Sequence, residues 1–68
     1  MKRWNAAKYE HTENEKIDTF LSEVVSVCRK HGLSIGHEDS QGAFQVMPFK
    51  EEYAEWLMAA ADATEDRK

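Results

Sequence analysis

The chain has 68 residues, one cysteine and a formal net charge of −4, which leaves room for one small domain and excludes an intrachain disulfide. Its apolar fraction of 41% supports only a thin core, in a size range where domains often lean on a partner. The acids gather late: residues 32–68 carry eight acidic and three basic side chains, against five and six in residues 1–31. That balance argues against direct binding of nucleic acid and fits a basic protein partner or a solvated surface.

Residues 1–13 are polar and show no sustained period. They are expected to form a flexible or loosely docked arm. Trp4 within it is a candidate partner anchor, because aromatic residues dominate binding hot spots. Lys2 and Arg3 are not followed by an apolar run, so no secretory signal is expected. No segment approaches the ~20 apolar residues that span a bilayer, and a soluble, cytoplasmic protein is expected.

A single domain is predicted over residues 14–64, followed by a charged tail at 65–68. Ile17, Phe20, Leu21, Val24, Val25 and Cys28 follow the spacing of one helix face. Thr12 or Asn14 can cap the start, with Glu15 and Asp18 in the first turn. Arg29, Lys30 and His31 suit the last turn, and Gly32 supplies a left-handed stop. Cys28 lies on the apolar face and reads as a small buried hydrophobe; a chain without disulfides suits a reducing compartment.

Two short runs follow, LSIGHED and AFQVM. Leu33, Ile35 and His37 alternate onto one side, and Phe44 and Val46 must join them to make a core face. That requires an even loop, with Asp39 opposite Phe44. Gly36 falls on the other face and marks a bulge or a close approach. Pro48 stops the second run. Residues 50–63 then read as a second helix, with Tyr53, Trp56, Leu57, Ala60 and Ala61 toward the core and Ala59–Ala61 allowing close approach to the first helix.

The expected architecture is α+β: an α-β-β-α domain with both helices on one face of a two-stranded antiparallel hairpin. A lone hairpin is marginal in water and its edges stay unpaired, so a homodimer joined through edge strands is expected.

Chemical motifs are sparse. Neighbouring strand residues point to opposite faces, so His37 and Glu38 cannot share one ion. His11 and His31 have no ligand spacing relative to them, and neither a metal nor another cofactor is expected. Asp39 reads as a turn cap. Gly36, His37, Glu38, Ser40 and Gln41 remain candidates for a polar rim that holds a partner or small ligand. No Gly-x-Ser-x-Gly elbow and no Gly-rich phosphate loop is read from the sequence, and an enzyme is not expected. On the second helix Glu51, Glu52 and Glu55 form an acidic ridge able to meet a basic surface.

Residues 17–60 resemble a group of short, mostly uncharacterised accessory proteins of phages and prophages. In these a CxKxG-like helix end leads into S-x-x-HED-x-x-GAF and then a helix with E-W-L. The matching residues here are Cys28, Lys30, Gly32, Ser34, His37, Glu38, Asp39, Gly42, Ala43, Phe44, Glu55, Trp56 and Leu57. The resemblance implies a phage accessory protein in the bacterial cytoplasm and brings no activity with it. Small phage proteins often block host proteins or defence systems by binding, an analogy of class only. The leading expectation is therefore a small non-enzymatic protein that inhibits or modulates a host protein. A small-ligand sponge or sensor, with its site near the hairpin at a subunit interface, is the first alternative. A purely structural dimerisation module is the second.

Overall fold

The computed structural model describes residues 1–37 and 42–65. Its elements run β1 (Lys2–Asn5), β2 (Glu10–Glu13), α1 (Glu15–His31), β3 (Leu33–His37), β4 (Phe44–Pro48) and α2 (Glu51–Met58). The fold is α+β: two helices and two separate antiparallel hairpins, β1-β2 and β3-β4.

Local chemistry explains α1. Asn14 takes the cap, its side chain accepting from the Lys16 and Ile17 N–H groups. Gly32 at φ 69° ends the helix and donates its N–H back to Arg29 and Cys28. Between them Leu21, Val25 and Cys28 are buried. Both helices pack against β3 and against each other, and α2 contributes the buried Ala54. Ala59, Ala60 and Ala61, expected to allow close approach to α1, are exposed.

The first hairpin replaces the expected loose arm. Its turn is organised by Asn5, whose side-chain oxygen accepts from Ala7 N–H at 2.9 Å and Lys8 N–H at 3.0 Å. Arg3 and Asn5 point inward at 2% and 3% exposure, while Trp4 points out. The polar residues are the buried ones, which is why alternation of apolar residues did not signal these strands.

Arg3 also sets where α2 ends. Its guanidinium donates to the Met58 carbonyl at 3.0 Å, the Ala60 carbonyl at 2.8 Å and Asp18 Oδ1 at 2.6 Å. A cation on the last carbonyls satisfies groups that a helix end leaves open. The chain then turns back to the first strand: Asp62 N–H donates to the Trp4 carbonyl at 2.7 Å, and Ala6 N–H to the Asp62 carbonyl at 2.9 Å. The second helix therefore stops at Met58, although its sequence predicted helix to residue 63. Tertiary bonds override the helix preference of three alanines.

Asp18 and Asp62 are held below the ordinary carboxylate value near 3.8. For Asp18 the main cause is the Arg3 hydrogen bond, followed by that from the Met1 amine. For Asp62 it is the Thr64 hydroxyl, then the Thr64 N–H. Groups with lowered values stabilise the fold above their unfolded value and lose that contribution as pH falls through the folded one. The melting temperature is expected to hold between neutrality and about pH 5 and to decline below pH 3.8. A flat profile through this acid range would contradict these roles.

The second hairpin keeps the expected parity but shifts by one pair. His37 faces Phe44, Ile35 faces Val46 and Leu33 faces Pro48, whereas the loop argument put Asp39 opposite Phe44. The covered face is also the opposite one. Ser34 and Gly36 are buried against the helices, while Phe44 and Val46 are 72% and 69% exposed. Ser34 turns inward because its hydroxyl accepts from Lys50 N–H at 2.9 Å, fixing the start of α2.

Candidate functional site

The flank of α2 carries Glu52, Tyr53 and Trp56, one and four residues apart, and β3 ends beside them at His37. These four residues line an open hollow of about 370 Å³. The His37 and Trp56 rings lie 6.5 Å apart, tilted by 45°. Phe44, paired across the hairpin from His37, meets the imidazole edge-on at 6.3 Å. Trp56 is 44% exposed, so its ring forms a wall of the hollow. Sequence periodicity had assigned it, with Tyr53, to the core. Tyr53 is half-buried, and the small Ala54 beside it marks the face that packs inward.

The candidates read from the sequence divide around this hollow. His37 and Glu52 line it. Glu55 is exposed next to Trp56 in the chain. Glu51 is drawn away: Arg29 at the end of α1 donates to both of its carboxylate oxygens. That hydrogen-bonded pairing lowers the Glu51 carboxyl and raises the Arg29 guanidinium from their ordinary values. Arg29 also lies over the Phe49 ring, 5.2 Å from its centre. The expected ridge of three carboxylates is thus an ion pair at Glu51, with Glu52 and Glu55 following it.

Gly36 is buried on the face opposite His37. A Cβ there would collide with the end of the Met47 side chain and touch the Tyr53 ring, so its place is one of close packing and not of a rim. Trp4 belongs to a separate aromatic group on the first hairpin, 6.3 Å from Tyr9 and 5.5 Å from His11. Glu38, Asp39, Ser40 and Gln41 lie outside the described residues.

Contrary to expectation, the chain does carry one nucleophile-type spacing. Gly32-Leu33-Ser34-Ile35-Gly36 has the Gly-x-Ser-x-Gly pattern. A nucleophile elbow needs that serine exposed on a tight strand-to-helix turn. Ser34 instead sits inside β3 at 2% exposure, with its hydroxyl engaged by Lys50 N–H. Its role is structural. Cys28 is likewise buried in the core. Among the described residues no group of three or more His, Cys, Asp or Glu side chains is placed to hold a metal ion.

What the hollow offers is aromatic surface with one carboxylate beside it. Ring faces attract cations, most strongly at tryptophan, and Glu52 adds a full negative charge. Its volume falls in the range of small-ligand sites. The arrangement suits a cationic group: a lysine or arginine side chain, or an alkylated amine.

No protein-family model, curated protein or solved structure matches the chain. Among the described residues no helix is long and apolar enough to cross a membrane.

Proposed function

We propose that this chain is a small non-enzymatic binding protein, a phage accessory factor that modulates or inhibits a host protein in the bacterial cytoplasm by holding a basic segment of it. The observation that carries the binding role is the hollow between His37, Tyr53 and Trp56 with Glu52 at its wall. A lysine or arginine of the partner enters it, and Glu55 extends the negative surface along α2. The phage setting rests on the resemblance alone.

Tagged protein is to be incubated with bacterial lysate beside a Glu52→Lys/Glu55→Lys variant, and retained proteins identified by mass spectrometry. A basic host protein held by the wild type and released by the folded variant is the expected result. Equal retention by both would overturn the role of this surface. The volume of the hollow also supports a second reading, a sponge or sensor for a small organic cation. That reading predicts a retained small molecule that raises the melting temperature by mass action, with no protein bound.

A further inference from the structure

We propose that two copies of this chain associate through the outer face of the β3-β4 hairpin and the adjoining flank of α1. This surface is distinct from the edge-strand pairing expected from sequence, and it does not depend on the binding role above.

The register places Leu33, Ile35, Val46 and Phe44 on one face of the hairpin, and the helices cover the other. Leu33, Phe44 and Val46 are 45%, 72% and 69% exposed, and on α1 Val27 is 57% exposed. The two surfaces are continuous, because Val27, Leu33, Ile35 and Val46 line one hollow of about 180 Å³. Phe20, seven residues before Val27 and therefore on the same flank, extends the surface at 63% exposure. Together these side chains form a contiguous exposed apolar patch, the kind of surface that marks a contact site.

Two observations select a second copy as the occupant. Among the described residues the buried apolar side chains are Leu21, Val25, Cys28 and Ala54. A domain this small gains stability from association, and another copy is a cover that is always present. Charge agrees. A chain of net charge −4 repels itself across its acidic surfaces. Among the described residues of this hairpin face, however, Leu33, Ile35, Phe44, Val46 and Pro48 carry no charge. A two-fold contact lays the same neutral patch against itself.

The test uses Val46→Glu, which points two carboxylates at each other and lies outside the hollow at Trp56. Trp4→Glu, on the first hairpin, is the control. Sedimentation velocity of the wild type at micromolar concentrations is expected to give twice the 7.9 kDa chain mass. Val46→Glu should weaken association by roughly a hundredfold or more, and Trp4→Glu should leave it intact. Should Val46→Glu unfold, the wild type supplies the second reading: its melting temperature rises with concentration if the dimer is real. A monomer at every concentration, with a concentration-independent melting temperature, overturns the proposal and leaves the face to a different partner. A dimer resistant to Val46→Glu, or broken by Trp4→Glu instead, overturns it by placing the contact elsewhere.

Discussion

Replacing Arg3 with alanine is expected to cost on the order of 3 kcal/mol of stability, a large fraction of what a domain this small possesses. The side chain is 2% exposed, and one guanidinium holds three elements together. Its bonds to Met58 and Ala60 close the end of α2, and its bond to Asp18 ties the first hairpin to α1. Alanine leaves those carbonyls without their donor and opens a cavity that Asp18 cannot fill. Arg3→Lys should recover only part of the loss, because an ammonium lacks the planar fork that serves two carbonyls and a carboxylate at once. Urea denaturation of the three proteins checks this. Each kcal/mol shifts the melting temperature of a domain this size by roughly 4–8 °C. An Arg3→Ala protein as stable as wild type would mean that the first hairpin is the loose arm its sequence suggested.

Trp56→Ala is expected to reduce affinity for a cationic ligand ten- to hundredfold while changing stability far less. The asymmetry follows from placement. Nearly half the residue is exposed, and the exposed part faces the hollow shared with His37, Glu52 and Tyr53. Trp4→Phe leaves Trp56 as the sole indole, so its fluorescence reports on the hollow directly. Titration with an arginine-rich peptide should give a saturable change, and calorimetry should show the loss in Trp56→Ala. A lowered melting temperature with unchanged peptide affinity would assign Trp56 to packing alone. Glu52→Gln, which removes charge but little volume, separates the electrostatic part from the aromatic part.

The sequence was most legible where one short segment carries all the determinants. Asn14 and Gly32 bound α1 with no help from elsewhere, and the odd-against-even parity of β3 and β4 follows from the pleat. The first hairpin was hidden because its inward residues, Arg3 and Asn5, are polar, so a search for apolar alternation sees nothing. The end of α2 was hidden because it is decided by Arg3, 55 residues away in the chain. The most instructive miss concerns the second hairpin. Alternation correctly grouped Leu33, Ile35, Phe44 and Val46 on one face, and that face was assumed to meet the helices. Instead Ser34 and Gly36 turn inward: the serine caps the start of α2, and the glycine makes room for Met47. An apolar face in a sequence says that something should cover it, without saying whether the cover comes from the same chain. The candidate site suffered the reverse error. His37 and Glu52 were named from their chemistry and Tyr53 is half-buried as a core-facing residue should be, whereas Trp56, also assigned to the core, is 44% exposed.

The bridge between Asn5 and Asp62 bears on how the protein is made. The first hairpin leaves the ribosome before the other described elements, yet the backbone it docks on is among the last described residues to be synthesised. The carbonyls awaiting Arg3, at Met58 and Ala60, arrive equally late. Such sequence-distant closure slows folding. Until Asp62 has emerged, the nascent chain can hold α1 and the second hairpin but must leave the buried face of the first in water. Docking of the first hairpin is therefore completed only after Asp62 has emerged, and two nascent chains on one message would come together with their inward-facing strands still open.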